Sequence, residues 1–391
     1  MAQRATKRGA ARTRLDVDCE VLICGASFAG LAVARELAGS GAKVMVIDRY
    51  EVGERQTSAC AAPTVWLNAL GLGSTVLATF SEIVVHTRHA STRWRLPFSF
   101  STFDYRELCA QLFAQCELPE GAFETATVTG RSGETVETDR GQLRAGLIVD
   151  ALGWRRVLSG GKPIQPPRAR LSRGLEVHPG GRRREMELWI DDRCIRAGYG
   201  WSFPAGDEVR VGVGSFRPAD HVREPTVRLA GSLDLPPSGF QGNWIPHALR
   251  PAVEDGVFFV GDSAGHCLPL TAEGIRTALY FGIACGRELR AVLEGRYERE
   301  QALGRYGAFS DRHAWKYRSL LRTQQLVGAL TPSRLVTWLV RSHGQRALCN
   351  WSFGHYYRIA RPQTLGIPEP PDVPPRGRRA RVPALAHGHP A

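Results

Sequence analysis

The first apolar segments of the chain predict a strand, a helix and a second strand, in that order. The apolar run CEVLIC begins at Cys19 and is followed by the glycine-rich stretch GASFAG. The next residues, LAVARELAGSG, place apolar side chains at helical spacing, and AKVMVIDR is a second short apolar run. Short apolar runs bounded by glycines are typical of buried strands, so the pattern indicates a βαβ unit.

Later segments predict a sheet, a second strand-and-helix unit and a helical region. Polar and apolar residues alternate in REMELWI and EVRVGVGSF, within residues 165–245, which is typical of strands. The segment DGVFFVGDSAGHCLPLTAEGIRTALYFGIACGREL predicts a buried strand at 257–260, a loop and a long helix. After Arg299, apolar residues recur at helical spacing. They include Trp315, Tyr317, Leu320, Leu321, Leu326, Val336, Trp338 and Leu339, and the aromatic residues Trp351, Phe353, Tyr356 and Tyr357 follow.

Length and composition indicate a globular protein. The chain has 391 residues, 43% hydrophobic and 23% charged, which is enough to bury a full core. No apolar run reaches the roughly 20 residues of a membrane span, and the N-terminus lacks the apolar stretch of a secretory signal. We therefore expect a cytoplasmic protein. The apolar residues of the helical region then fit core packing, a hydrophobic tunnel, or a surface for peripheral membrane association.

The positive charge changes this picture little. The formal net charge is +13, and arginine supplies most of it, since only four of the 51 basic residues are lysines. Much of the charge lies near the two ends, in segments whose composition predicts disordered tails. An acidic membrane surface, an acidic substrate and nucleic acid are alternative partners, but no nucleic-acid-binding motif supports the last. The nine cysteines lack zinc-ligand spacing, so we expect free thiols and no metal site.

The βαβ unit has the features of a dinucleotide site. Gly25 permits a tight turn, Gly30 lets the helix pack close to the strand, and the helix N-terminus offers N–H groups to a pyrophosphate. Asp48 ends the second strand and suits a hydrogen bond to an adenosine ribose. These features fit FAD and NAD equally, although serine replaces the middle glycine of the usual motif. The predicted cofactor contacts here are Gly25, Ala26, Ser27, Gly30, Asp48 and Arg49.

The segment at 255–289 resembles the FAD-closing segment of the p-hydroxybenzoate hydroxylase-like flavoprotein superfamily. In that superfamily the Gly-Asp at the strand end, here Gly261 and Asp262, lies at the pyrophosphate and the ribityl chain. The resemblance also implies that Pro269 stiffens the loop, and that Gly274 and Ile275 present N–H groups to the flavin ring. We therefore expect one FAD, bound non-covalently in a site assembled from distant segments.

Two further segments agree with this resemblance. The helix pattern FDYRELCAQLF (103–113) contains Arg106, which resembles the superfamily arginine placed near the cofactor. Residues 123–156 resemble a three-stranded β-meander followed by a return strand that ends at Asp150 and Gly153. We assign Asp150 no cofactor contact, because Ala-Leu separates it from the glycine that usually follows.

Residues 261–265 also fit the GxSxG nucleophile elbow of α/β-hydrolases, with Ser263 as nucleophile. HPGG at 178–181 mimics an oxyanion loop, and His313 or His343 would serve as base. However, an elbow leads directly into a helix, and Pro269 would break that helix in its second turn. The hydrolase is therefore a minor alternative.

The predicted sheet contains a second resemblance. Residues 198–204 read GYGWSFP, and GDEVRVGVG follows, which resembles the YxWxFP…G signature of the geranylgeranyl reductase family. PLTAEGI is similar to PLTGEGI of that family, whereas Ala205 replaces the family's lysine. The resemblance covers roughly residues 18–300 and implies that Tyr199, Trp201 and Phe203 line the substrate cavity beside the flavin. Cys60 is a loose counterpart of a cysteine near the flavin in archaeal members, with an inert thiol as the alternative.

We expect an α/β fold with a discontinuous Rossmann-type FAD-binding domain, a β-sheet substrate domain and a C-terminal helical region. The predicted boundaries are 1–16 for a disordered basic tail, and 17–165 with 246–300 for the FAD-binding domain, which includes part of the substrate sheet near 80–100. The substrate sheet itself is predicted at 166–245. The helical region is predicted at 301–366 and a disordered tail at 367–391.

The resemblances imply an FAD-dependent oxidoreductase. The leading hypothesis is reduction of a carbon–carbon double bond in an isoprenoid-type or other hydrophobic substrate, by hydride from N5 of the reduced flavin. The alternative is a flavin-dependent monooxygenase or halogenase, in which dioxygen adds at C4a. Because the chain has one glycine-rich βαβ fingerprint, NAD(P)H or another external donor must bind transiently. No catalytic residue is assigned.

Overall fold

The structure is a computed structural model that describes residues 13–56, 58–161, 171–330, 333–370 and 372. The strands are β1 (Val17–Cys24), β2 (Val44–Asp48), β3 (Ala61–Pro63), β4 (Val76–His86), β5 (Ser91–Phe103), β6 (Phe123–Thr125), β7 (Val128–Ser132), β8 (Thr135–Thr138), β9 (Gly141–Asp150), β10 (Leu171–Val177), β11 (Met186–Trp189), β12 (Gly198–Ala205), β13 (Glu208–Ser215), β14 (Gln241–Pro246), β15 (Val253–Glu254) and β16 (Val257–Phe259).

The helices follow the predicted order. They are α1 (Phe28–Glu36), α2 (Thr64–Ala69), α3 (Tyr105–Ala114), α4 (Arg223–Ser232), α5 (Ile275–Leu293), α6 (Arg299–Asp311), α7 (Ala314–Ala329), α8 (Ser333–His343) and α9 (Arg346–Tyr357). Short 3₁₀ turns lie at Gly73–Thr75, Gly261–Ala264 and Pro362–Leu365. None of the helices in the described ranges is both long and apolar enough to cross a bilayer.

The first sheet contains the predicted βαβ unit at its centre. Its strand order is β15-β16-β9-β1-β2-β6, with β1 parallel to both β2 and β9, and β16 parallel to β9. The hairpin β7–β8 pairs with the first half of β9. One long strand, β9, is therefore both the last strand of the meander and the return strand, where the sequence had indicated separate strands.

The second sheet is mostly antiparallel and contains β12, the strand that carries the GYGWSFP signature. Its order is β14-β10-β13-β12-β11-β4-β5-β3, so β4 and β5 join it from the N-terminal part of the chain. Its outer face packs on α4, where Leu229 and Ala230 meet Val209, Val211 and Val213. The two sheets and their helices give the predicted α/β fold, which is confirmed.

Helices α1 and α5 pack at backbone distance. A methyl group at Gly282 of α5 would lie 2.7 Å from the Ala29 carbonyl oxygen and 2.8 Å from the Ala32 Cβ. A methyl at Gly286 would lie 2.7 Å from the Val33 carbonyl oxygen. Gly282 and Gly286 of α5 therefore let the second strand-and-helix unit press directly on the first.

Described residues within both predicted tails make tertiary contacts. Leu15 is buried, and its N–H donates to the Arg140 carbonyl over 2.8 Å. At the other end Arg361 pairs with Glu369 at 3.1 Å, and the Ser99 hydroxyl donates to Asp372 over 2.7 Å. These tertiary contacts correct the boundaries at 16 and 367. The rest of both tails, and the boundary at 165, lie outside the described residues.

The α1–α5 contact predicts opposite effects for one chemical change at two helical glycines. Gly282→Ala should destabilise the fold by about 1–3 kcal/mol, since the added methyl meets backbone that cannot move independently. Gly304→Ala in α6 should leave stability equal or raise it by up to about 1 kcal/mol, because its methyl enters open space and alanine favours helix. Urea unfolding of both variants measures the difference, and equal effects would contradict the packing described.

Candidate functional site

The turn between β1 and α1 is held by two glycines. Gly25 has a φ of 116°, and a methyl there would lie 2.3 Å from the Ala151 carbonyl oxygen. A methyl at Gly30 would lie 1.8 Å from the Gly25 carbonyl oxygen. Ser27 precedes α1 without capping it, and its hydroxyl instead lies 3.2 Å from that of Tyr105. The N–H groups in the first turn of α1 therefore have no side-chain acceptor.

Asp48 closes the same turn. Its carboxylate accepts hydrogen bonds from the N–H groups of Ala26 (2.8 Å) and Tyr50 (2.9 Å). Burial raises the pKa of this carboxyl above its usual value, although both hydrogen bonds oppose the shift. The carboxylate thus fixes the turn while its remaining lone pairs stay available to a ribose.

The two predicted arginines lie at the surface near these residues. Arg49 is exposed, and its guanidinium lies 4.9 Å from the centre of the Tyr50 ring. Arg106 is exposed in the first turn of α3, and its backbone is packed against Gly53. Neither makes an ion pair within the described part of the chain, so both charges are free to meet an anion.

The second predicted segment meets the first at Gly261. This residue has a φ of 60°, and a methyl there would lie 2.8 Å from the Ala29 Cβ. The end of β16 therefore touches the first turn of α1, as a site built from distant segments requires. Pro269 is buried in the following loop, and α5 starts at Ile275 after Gly274, with no side-chain cap.

Asp262 is an acid with no hydrogen-bond partner for its side chain among the described residues. Burial raises the pKa of its carboxyl to about 6, while the positive charge of Arg250 opposes that rise. A methyl at Gly274 would lie 3.6 Å from one of its carboxylate oxygens, so it faces the uncapped start of α5. A partly exposed, unpaired carboxylate at this point can accept a hydroxyl hydrogen bond from a ligand.

The hydrolase alternative fails on the geometry of Ser263. The side chain is fully buried, and its hydroxyl donates to Asp150 at 2.6 Å and lies 3.0 Å from the Gly153 carbonyl. Asp150 also accepts the N–H groups of Leu152 and Leu158. The serine is therefore a fixed structural donor that makes no hydrogen bond to any histidine of the described ranges, and Asp150 holds the loop that packs on Gly25. This agrees with leaving Asp150 out of the cofactor contacts.

Taken together, these features fit FAD. Two helix N-termini without side-chain caps, those of α1 and α5, point their N–H groups into one region, and helix N-termini favour negative charge. Gly25 and Gly30 let the turn close tightly against Ala151 and the start of α1, and the unpaired Asp262 suits a ribityl hydroxyl. The contacts predicted at Gly25, Ser27, Gly30 and Gly261 come together, with Asp48 at one end and Gly274 at the other.

The three signature aromatics share the inner face of the second sheet; we call Tyr199, Trp201 and Phe203 the aromatic wall. Alternate residues on a strand face the same way, and the rings of Tyr199 and Trp201 are 6.0 Å apart. The Tyr199 hydroxyl donates to the Thr271 carbonyl over 2.7 Å. This bond joins the wall to the loop before α5, beside the predicted flavin contacts.

The Trp201 ring is held in place by Gly212 of β13 and by a hydrogen bond to Glu176 of β10. A methyl at Gly212 would lie 2.2 Å from the indole, so glycine is required where the ring lies on β13. The indole N–H donates to Glu176 at 3.1 Å, and Gln241 and His178 contact the other oxygen of that carboxylate. Sequence reasoning missed Glu176, although its alternation on β10 places it on the face of Trp201.

A buried ion pair that the sequence analysis did not identify anchors the loop before α5. Arg276 has no exposed surface, and its guanidinium binds the Glu273 carboxylate at 2.8 and 2.7 Å. The same guanidinium donates to the carbonyls of Tyr357 and Ala360, and the Tyr356 hydroxyl donates to Glu273. The i,i+3 spacing of the pair in AEGIR was the available signal. The C-terminal helices are thereby tied to the cofactor side.

Cys60 does not join the aromatic wall. It is fully buried in the main core, and its thiol lies 3.2 Å from the Ser58 carbonyl. Burial raises the pKa of this thiol well above its usual value. The arrangement favours the inert-thiol alternative, because the sulfur has no free surface for a substrate.

The N-terminal part of the chain matches a known domain family. Residues 18–137, from β1 to β8, fit the profile of the family described as FAD binding domain. This part of the chain is similar to an FAD binding domain. The matched region includes Gly25, Gly30, Asp48 and Arg106, so the prediction of a flavin cofactor is confirmed.

Named relatives of this flavoprotein are reductases. The digeranylgeranylglycerophospholipid reductase of Methanococcus vannielii is 30% identical over 132 residues, which are 31% of this chain and 33% of the relative. Digeranylgeranylglycerophospholipid reductase 3 of Methanosphaera stadtmanae is 22% identical over 333 residues, covering 76% of this chain and 84% of the relative. The resemblance to geranylgeranyl reductases is confirmed. The chain spans about a third of the length of the first curated relatives, so its activity, substrate and partners are proposals.

Solved structures share the fold of this flavoprotein. A geranylgeranyl bacteriochlorophyll reductase-like protein from Thermoplasma acidophilum matches with a TM-score of 0.74 at 16% identity, covering 90% of this chain and 98% of that protein. Flavin-dependent monooxygenases and halogenases match with lower TM-scores. At such identities the likeness concerns the fold alone.

Asp262→Asn should separate stability from cofactor affinity. In the FAD-free protein, the stabilising contribution of protonated Asp262 is lost as the pH rises from 3.8 to about 6, because the folded pKa is the higher one. Asparagine stays neutral, so the variant should be more stable than wild type at pH 8, by about 2 kcal/mol, and equal to it near pH 4. Urea unfolding at both pH values measures this.

The same variant should bind FAD roughly tenfold more weakly, since it loses a charged acceptor. Asp18→Asn, at an exposed carboxylate, is the control and should change neither quantity. Flavin fluorescence titration gives the affinity, and unchanged FAD binding by Asp262→Asn would exclude the ribityl contact.

Proposed function

We propose that this flavoprotein reduces a carbon–carbon double bond in an isoprenoid-type or other hydrophobic substrate. The observation that carries the proposal is the aromatic wall, because it presents three rings next to the loop that leads into α5. The reductase names of the relatives support the same chemistry.

The proposed cofactor contacts follow from the geometry of the two segments. The first turn of α1 would bind the diphosphate, with Asp48 at the adenosine ribose. Asp262 would accept a hydrogen bond from the ribityl chain, and the N–H groups at Gly274 and Ile275 would face the flavin pyrimidine. Arg49 and Arg106, both free of carboxylates, would lie near the outer part of the cofactor.

Bound FAD, once reduced by an external donor, would supply a hydride to one carbon of the double bond, and the other carbon would take a proton from a general acid or from solvent. The aromatic wall would hold the apolar substrate over the cofactor and exclude water. Burial raises the pKa of the Tyr199 hydroxyl, so it keeps its proton at neutral pH and stays bonded to the Thr271 carbonyl. Its role is to fix the wall against the loop.

The reductant would come from outside the chain. One glycine-rich βαβ unit is present in the sequence, and its glycines and Asp48 are accounted for by the FAD binding domain. NAD(P)H or another donor would therefore bind transiently and leave after reduction. A monooxygenase or halogenase reaction on the same fold is the alternative, with the fold likeness as its support.

Anaerobic reduction followed by one of two additions tests the proposal. The purified protein is reduced with NADPH or dithionite, then mixed either with geranylgeraniol or with air-saturated buffer. We expect geranylgeraniol to reoxidise the flavin and to gain hydrogen at a double bond, and oxygen to react slowly. Absorbance of the flavin and mass spectrometry of the extracted alcohol measure the two outcomes.

One result would decide against reduction of a double bond, and a second would restrict the substrate. Fast oxygen consumption coupled to an oxygenated or halogenated product would establish the alternative. Reoxidation by geranylgeranyl diphosphate but not by geranylgeraniol would keep the reaction and restrict the substrate to one with a phosphate head group.

The wall predicts a selective effect for one of two tryptophans on neighbouring strands. Trp201→Phe removes the hydrogen bond to Glu176 and loosens the ring, so KM for the prenyl substrate should rise roughly tenfold, with an unchanged flavin spectrum. Trp189→Phe is the matched control, because Trp189 pairs with Gly200 and faces the opposite side of the sheet. Steady-state kinetics under anaerobic conditions measures both.

Glu176→Gln keeps an acceptor for the indole and should restore most of the affinity that Glu176→Leu loses. If Trp189→Phe raised KM as much as Trp201→Phe, the aromatic wall would not be the substrate surface.

A further inference from the structure

The helices α8 and α9 expose a set of large apolar side chains that nothing in the described chain covers. Leu335, Trp338 and Leu339 are 39%, 62% and 39% exposed on α8, and Leu348 and Trp351 are 39% and 62% exposed on α9. We call these five residues the α8–α9 face. Within each helix they are spaced at i, i+3 or i+4, so they form one stripe per helix.

Both stripes lie on the sides of α8 and α9 that face away from β5. The Trp94 indole on β5 donates to the Val340 carbonyl of α8 at 3.0 Å and lies 6.1 Å from the Phe353 ring of α9. The Cys349 thiol of α9 contacts the Arg95 carbonyl at 3.3 Å. Because both helices pack their inner sides on β5, their exposed sides form a common outer surface.

The charged side chains of this helical segment all have one sign. Between Asp311 and Glu369 the sequence has no carboxylate side chain, but it has eight arginines and one lysine. Arg334, Arg341, Arg346 and Arg358 lie on α8, on α9 or at its end, are exposed, and make no ion pair in the described ranges. The positive charge that looked like a property of the tails is therefore also concentrated around exposed tryptophan and leucine.

We propose that the α8–α9 face docks on the surface of a membrane that contains anionic lipids. Tryptophan and leucine enter the interface between headgroups and acyl chains, and the neighbouring arginines bind lipid phosphates. A second copy of this chain is a poor occupant, since a two-fold contact would place the arginines of α8 and α9 against one another, and neither helix has a carboxylate to pair with them. Exposed leucines also gain nothing from a nucleic acid backbone.

The position of the surface connects docking with the aromatic wall. Val336 and Val340, on the inner side of α8, pack in one apolar cluster with Phe203. A docked protein would hold its wall one helix layer away from the lipid. Delivery of a membrane-dissolved substrate by this route rests on the proposed function, whereas docking itself does not.

Co-sedimentation of the full FAD-loaded protein with vesicles tests the docking. Vesicles of phosphatidylcholine alone are compared with vesicles that also contain phosphatidylglycerol, without substrate or reductant. We expect binding to the anionic vesicles, at least tenfold weaker binding after Trp338→Ala with Trp351→Ala, and a similar loss after Arg334→Gln with Arg341→Gln. Added salt should weaken binding of the wild type.

Two matched controls keep the result specific to the surface. Phe240→Ala removes an exposed aromatic side chain that lies beside Arg223 and is distant in sequence from α8 and α9. Arg193→Gln with Arg228→Gln removes two exposed charges near α4. Both should bind vesicles like the wild type, and flavin absorbance confirms that every variant folds.

Several results would overturn the proposal. One is absence of binding to anionic vesicles, and another is equal binding by the surface variants and the controls. A dimer in light scattering that becomes a monomer in Trp338→Ala with Trp351→Ala, without vesicle binding, would assign the face to a second copy. Equal affinity for a single-stranded oligonucleotide would assign it to nucleic acid. None of these outcomes depends on turnover, so failure of docking and failure of the proposed reaction are distinguishable.

Discussion

The first turn of α1 is in backbone contact with two loops that lie far away in the sequence. Gly25 and Gly30 admit the loop at Ala151, and Gly261 brings the end of β16 against Ala29. The glycines of α5 then let that helix press on the rest of α1. No side chain fits between these segments, so the proposed cofactor site exists only while the backbones stay at this distance. The unpaired Asp262 and the uncapped start of α5 take their positions from the same contact.

The aromatic wall, the proposed substrate surface, depends on a second set of restraints. The aromatic wall is joined to the loop before α5 by the hydrogen bond of Tyr199 to Thr271, and Trp201 is fixed by Gly212 and Glu176. The buried pair of Arg276 and Glu273 holds the same loop to the C-terminal helices. A pair of this kind stabilises only when its hydrogen bonds are complete, and here two backbone carbonyls and the Tyr356 hydroxyl complete them. The loop before α5, the aromatic wall and the C-terminal helices therefore form one unit.

Charge is distributed unevenly over this unit. Arginines elsewhere meet carboxylates, as Arg140 meets Glu124 and Arg156 meets Glu254. The helices after Asp311 have almost no such partners, and they are also where large apolar side chains are exposed. Net charge alone did not reveal this, because it sums over the whole chain. Exposed apolar side chains beside unpaired cations distinguish a binding surface from an ordinary solvated surface.

The sequence alone determined the βαβ unit, the glycines at 25 and 30, the acid at 48, the FAD-closing segment and the signature strand. Each is a local pattern, and the backbone preferences of glycine and the spacing of apolar residues act within a few positions. Only the tertiary structure decided that β9 serves two purposes, that Ser263 is bound to Asp150, that Cys60 is enclosed, and that Glu176 and Tyr356 support the site. Those facts depend on which distant segments meet, and packing of the whole core decides which segments do. No local preference encodes a contact across 100 or more residues, such as the hydrogen bond from Ser263 to Asp150.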